Sequence, residues 1–110
     1  MNKDEIQNAI NNHNVVIFMK GSQELPACGF SAFVVKIFQD LNVPFKDFDV
    51  MKDPELRQNI KEFSNWPTLP QIYIKGEFIG GCDIIREMYQ SQELQSLLRS
   101  HQLLSEICAV

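Results

Sequence analysis

The sequence predicts a single α/β domain built on a mixed four-stranded sheet flanked by helices, and three observations predict it. "VVIFM" (Val15–Met19) is an uninterrupted apolar run of strand length, as expected of a strand buried on both faces. Segments with helical spacing separate it from the later β-type runs. Two of those runs, "QIYIK" and "EFIG", meet at Lys75–Gly76, a pair suited to a tight hairpin.

Each element has its own signal. Ile6, Ala9 and Ile10 give a short opening helix before Val15–Met19. Gly21, Ser22 and Pro26 mark residues 20–27 as a loop. From Cys28 onward, Phe30, Phe33, Val34, Ile37, Phe38 and Leu41 recur at amphipathic helical spacing. "VPFKDFDV" alternates Phe45, Phe48 and Val50 with polar residues, which predicts a second strand. Asp53–Pro54 has the order of an N-cap followed by a proline at the first helical position. Leu56, Ile60 and Phe63 form the buried stripe of that helix, and "NWPTLP" is a proline-punctuated loop. After Gly80–Gly81, Asp83 is placed to cap a helix carrying Ile84, Ile85, Met88 and Tyr89. Ser91 restarts a last helix with Leu94, Leu97 and Leu98. The order is α β α β α β β α α. Strands joined through a helix run parallel with a right-handed crossover, and the closing hairpin adds antiparallel strands. That is the layout of a thioredoxin-like domain.

The 110 residues are expected to form one domain, 1–110, with a core over about 4–100 and a short tail, 101–110. A composition of 45% hydrophobic and 22% charged residues is ordinary for a globular chain. The net charge of −4 argues against non-specific binding to nucleic acid or to an anionic membrane. "MNKDEIQNAI" resembles neither a secretory signal nor a transit peptide, and no apolar run reaches the ~20 residues of a membrane span. Cys28, Cys82 and Cys108 are odd in number and far apart, which suits a reducing compartment better than a disulfide framework.

Cys28 carries the chemistry. It stands where a loop gives way to a helix, so unpaired N–H groups and the positive end of the helix dipole favour its thiolate. Lys20, at the end of the first apolar run, opens the same loop and adds a cation. The competing reading is a small buried core cysteine. Where a second thiol would make a dithiol pair, the chain has Ser31.

"CGFS" (Cys28–Gly29–Phe30–Ser31) resembles the active-site motif of the monothiol glutaredoxins. So do "FMKGS" before it, "NWPTLPQIYIKGEFIGGCDI" after it, and the eight-residue step from Lys20 to Cys28, which is longer than in dithiol glutaredoxins. The resemblance runs from about residue 4 to about residue 100. Gln23 stands where many relatives have proline, and Leu69 where phenylalanine is frequent.

The resemblance implies a glutathione site. Lys20 and Arg57 would meet its carboxylates, although each also reads as a solvated surface charge. A cis bond before Pro70 would turn the Leu69 backbone toward the tripeptide for strand-like pairing; an ordinary trans proline is the alternative. The Cys82 backbone and Asp83 would hold the γ-glutamyl end, with Asp83 doubling as a cap. Cys82 reads as a contact residue, with a resolving thiol as the alternative. Trp66–Pro67 is either packing or a partner surface, and His13 and His101 read as surface residues.

The resemblance further implies a [2Fe–2S] cluster bridging a homodimer. Such a cluster takes four thiolates; Cys28 as metal ligand and one glutathione per chain supply half. Without the cluster the chain would be a monomer. The function implied is delivery of clusters to apo iron–sulfur acceptor proteins, with pairing to a BolA-like protein. The compartment implied is a bacterial cytoplasm or the matrix of an organelle of bacterial descent. The alternative is a glutathione-dependent thiol–disulfide oxidoreductase that removes glutathione from mixed disulfides through Cys28 as catalytic nucleophile. A third reading makes Cys28 a redox sensor.

Overall fold

Strand β1 (Val15–Met19) sends Val15, Ile17 and Met19 to one face of the sheet and Val16 and Phe18 to the other, and all five are buried. The computed structural model describes residues 1–104; Cys108 and the rest of 105–110 lie outside the described residues. The remaining elements are α1 (Lys3–Asn12), α2 (Gly29–Asp40), β2 (Lys46–Asp49), α3 (Pro54–Ser64), β3 (Gln71–Ile74), β4 (Glu77–Gly80), α4 (Cys82–Gln90) and α5 (Glu93–Ser100). The sheet order is β2-β1-β3-β4. β1 runs parallel to β2, with Phe18 opposite Phe48, and antiparallel to β3, with Ile17 opposite Ile72. β3 and β4 pair antiparallel. This is the mixed four-stranded arrangement expected from the element order.

Each face of the sheet has its own core. Ile17, Ile72 and Ile74 pack with Val34 and Phe38 of α2, Ile85 of α4 and Leu94 and Leu98 of α5. Val16, Phe18 and Tyr73 pack with Ile6 and Ile10 of α1 and Leu56 and Ile60 of α3. Phe18 stacks on Phe48 at 5.3 Å and meets Tyr73 edge-on at 5.6 Å. Among the described residues, no helix is long and apolar enough to cross a membrane.

Local signals explain most boundaries. Asp53 caps α3 by accepting from the Leu56 N–H at 3.0 Å, with Pro54 next, as expected. α1 opens with a reciprocal box between Asn2 and Glu5. Lys75 and Gly76 have φ of 53° and 79°, the left-handed pair that a type I′ hairpin turn requires.

Four expectations need correction. α2 does not bury Phe30 or Phe33, which are 64% and 40% exposed; its buried stripe is Ser31, Val34, Val35, Ile37 and Phe38. The helix is rotated so that Phe30, in its first turn, borders the cleft beside Cys28 and Phe33 faces outward instead of into the core. β2 is shorter than the alternating pattern and omits Phe45 and Val50. Asp83 is not the cap of α4: the cap position is Gly81, without a side-chain bond, and the helix is already under way at Cys82. α5 is entered through Gln92, at φ 71°, with Ser91 Oγ accepting from the Glu93 N–H one step outside.

Candidate functional site

Residues 20–27 form a miniature hairpin between β1 and the thiol. The Lys20 carbonyl accepts from the Ala27 N–H at 2.9 Å, and Ser22 and Leu25 exchange N–H···O bonds at 3.2 and 3.1 Å. Gly21 has φ 87°, and a Cβ there would lie 2.5 Å from both Ala27 N and the Leu25 oxygen, so only glycine fits. So small a hairpin is marginal alone, and two carboxylates of β2 fasten it. Asp47 accepts from the Gln23 N–H at 2.9 Å and from its side-chain NH₂ at 2.7 Å. Asp49 accepts from the Gly21 N–H at 3.0 Å. Gln23 thus fixes the loop by a tether.

The hairpin delivers Cys28 as the N-cap of α2. Its sulfur accepts from the Ser31 N–H at 3.4 Å, and its thiol donates to Ser31 Oγ at 3.3 Å. Ser31 Oγ also accepts from the Lys20 N–H at 3.3 Å, which ties the end of β1 to the same hydroxyl. Partial burial pushes the Cys28 thiol up, but the Ser31 hydroxyl and amide, the Phe30 amide and the Lys20 charge together hold it below its ordinary value. Cys28 is partly exposed, so the reading as a sealed core cysteine fails.

Beside the thiol lies an open cleft of about 390 Å³, within the range of small-ligand pockets. Lys20, Arg57, Leu69, Cys82 and Asp83, anticipated from four separate stretches of the chain, all line it. Cys28 itself does not; it stands close enough to Cys82 for charge on one to oppose charge on the other. Burial first, then the neighbouring Asp83, pushes the Cys82 thiol up, so the two cysteines are tuned in opposite directions. Asp83 is exposed and pairs with Arg86 at 3.3 Å.

The loop before β3 forms another wall through Trp66, Pro67, Thr68 and Leu69. The Leu69–Pro70 bond is cis, as expected. Among the described residues, no hydrogen bond engages the Leu69 backbone. Gly81 lies so close under this loop that a Cβ would stand 3.3 Å from both the Pro70 oxygen and Trp66 Nε1. A third cation of the lining, Lys61, was missed, although it sits one helical turn beyond Arg57 on α3. Phe30 and Ile84 also line the cleft, having been assigned to helix packing. Chemically, the arrangement combines a thiolate-prone sulfur, three cations, an unengaged backbone edge and a carboxylate around one tripeptide-sized space.

Comparison with known proteins bears on the family and the fold. A family model described as Glutaredoxin matches residues 15–79. The probable monothiol glutaredoxin 2 of Rickettsia typhi is 55% identical over 94 residues, covering 86% of this chain and 85% of its own. The chloroplastic monothiol glutaredoxin-S14 of Arabidopsis thaliana is 53% identical, over 84% of this chain and 54% of its own length. Reduced poplar apo GrxS14 shares the fold with a TM-score of 0.79 at 48% identity, over 89% of this chain and 90% of that one. A monomeric truncated mutant of Trypanosoma brucei 1-C-Grx1 gives 0.87 at 38% identity, over 96% of both chains. The fold is thioredoxin-like, and the chain belongs to the glutaredoxin family, where its single cysteine in "CGFS" sets it among the monothiol members.

Proposed function

We propose that this protein binds glutathione in the cleft and carries [2Fe–2S] clusters as cargo for apo iron–sulfur acceptor proteins. One observation carries the reading: a lone thiol held below its ordinary value stands beside a cleft flanked by Lys20, Arg57 and Lys61. Glutathione brings two carboxylates, which suit those cations. Its cysteinyl peptide suits the unengaged Leu69 backbone, and its ammonium suits Asp83 near the Cys82 end of α4.

Cargo binding needs two copies. Among the described residues, no group of three or more His, Cys, Asp or Glu could hold a metal. One Cys28 thiolate and one glutathione thiolate therefore supply half of a four-thiolate set, and a two-fold dimer supplies all of it. The exposed apolar residues around the thiol, Leu25 at 78% and Phe30 at 64%, suit such a dimer, with the cluster-free form a monomer. Pairing with a BolA-like protein and residence in a bacterial cytoplasm or an organelle of bacterial descent belong to the same reading; the Rickettsia and chloroplastic relatives support the latter.

Anaerobic reconstitution with iron, sulfide and glutathione tests it. The expected product is a coloured dimer, and Cys28→Ser should yield a colourless monomer. Fast turnover of a glutathionylated substrate by a colourless wild-type monomer would instead establish the oxidoreductase reading.

A further inference from the structure

Gln71 is a fully buried polar side chain outside every role described above. It opens β3, directly after the loop that forms one wall of the cleft. That loop carries Pro67 and Pro70, which have no N–H to donate, so fewer of its own amides are available to pair its carbonyls. Gln71 supplies donors. Its Nε2 donates to the Trp66 carbonyl at 3.1 Å and to the Thr68 carbonyl at 3.3 Å, using both amide hydrogens. Its Oε1 accepts from the Tyr73 hydroxyl at 3.4 Å.

The other end of the loop is seated in the same way. Ser64 Oγ accepts from the Trp66 N–H at 3.1 Å and donates to the Ile60 carbonyl at 2.9 Å. Side chains of α3 and β3 thus draw the loop down at Trp66 and Thr68, while the Leu69 backbone, the next residue, stays unengaged among the described residues. Burying a carboxamide costs free energy unless its polar atoms are bonded. Here the offsetting donor bonds all go to the loop.

We propose that Gln71 is a positioning residue for the ligand clamp: it holds the Trp66 and Thr68 carbonyls so that the Leu69 backbone is presented to the peptide part of the ligand. The proposal rests on the reading of the cleft as a glutathione site. It assigns Gln71 to ligand affinity and not to the thiol, whose partners Ser31 and Phe30 belong to α2.

Two variants of the full chain, reduced and free of cluster, test this. Gln71→Met keeps the volume and removes both donors; Gln71→Asn keeps the amide and shortens its reach. Titration calorimetry with reduced glutathione, at a temperature where each variant is folded by circular dichroism, should give about tenfold weaker binding than wild type, as expected for the loss of one net hydrogen bond. The pH dependence of Cys28 alkylation should be unchanged. Affinity within twofold of wild type in a folded variant, whatever its melting temperature, overturns the proposal and leaves the glutathione reading standing. A Cys28 profile shifted together with the affinity also overturns it, because the effect would then be general disorder. Failure of wild type itself to bind glutathione removes the cleft reading and this proposal together. If Gln71→Met does not fold, Gln71→Asn carries the test through the same titration and through faster amide exchange at Trp66, whose N–H is bonded to Ser64 Oγ.

Discussion

The Ser31 hydroxyl lies 3.3 Å from the Cys28 sulfur and 3.3 Å from the Lys20 backbone nitrogen, so one buried oxygen joins the thiol to the end of the central strand. When Cys28 ionises, the hydroxyl hydrogen can turn to the sulfur while the Ser31 amide already points there. Ser31→Ala removes the first bond and keeps the second. The Cys28 thiol should then move up toward its ordinary value, and its alkylation by iodoacetamide near neutral pH should slow several-fold. Alkylation rates across a pH series check this.

Cys28 and Cys82 should separate by reactivity. The thiolate is the nucleophile, and the structure favours it at Cys28 while opposing it at Cys82. Limited labelling near neutral pH, read by peptide mass, should modify Cys28 well before Cys82. The same tuning links to stability. Because the folded value lies below the ordinary one, the stabilising contribution is complete above the ordinary value near 9 and is lost as pH falls through the folded value. Urea unfolding of wild type and Cys28→Ser should therefore diverge as pH rises, in favour of wild type.

Asp47 should matter more than an edge-strand carboxylate usually does. Two bonds to a charged group would each be worth ~1.5–3 kcal/mol if fully buried, but Asp47 is half-exposed and solvent screening reduces that. Asp47→Ala should cost about 1–2 kcal/mol. It should also speed amide exchange at Gly21 and Gln23 more than in the core strands. A double-mutant cycle with Gln23→Ala should show coupling, since both variants remove the side-chain bond while only Asp47→Ala also removes the acceptor of the Gln23 N–H.

Tyr73 should set an alkaline limit. Burial pushes its hydroxyl up to about 12, against the opposing effect of the Ser64 hydroxyl. The unfolded chain loses this proton near 10, before the folded one does, so stability present below that value declines as pH rises toward 12. Tyr73→Phe should lack this component of the decline. Urea midpoints of both proteins at about pH 9 and about pH 11 measure the difference.

The layers of the fold were legible because burial is written in periodicity and punctuation: the five-residue apolar run Val15–Met19, bounded by loop residues, has the length of a two-faced strand, and Asp53–Pro54 has the order of a cap and a first helical residue. The α2 stripe was misread because Phe30 and Phe33 satisfy the same spacing as a core face. Nothing in apolar periodicity distinguishes a core from the surround of a site. The small polar Ser31 therefore took a buried position that the pattern had assigned to aromatics. At the cleft, Lys20, Leu69, Cys82 and Asp83 were legible through the motif blocks, and Arg57, outside them, through its place beside the buried stripe of α3 and the resemblance. Lys61 needed only the helical step from Arg57. Gln71 had a faint signal, a carboxamide heading an otherwise apolar strand just after a proline. What it does depends on carbonyls whose direction no sequence pattern records.

The central strand is also the first to be synthesised. β1 reaches its final neighbours only when Lys46–Asp49 and then Gln71–Ile74 have followed, with Val15 paired to Ile74. A twelve-residue helix such as α2 is marginal until it packs on that sheet. On the ribosome the sulfur therefore emerges long before the helix end that makes it acidic is held in place. The groups that lower the Cys28 thiol all lie between Lys20 and Ser31, so what the later strands contribute is the sheet that holds those twelve residues in place.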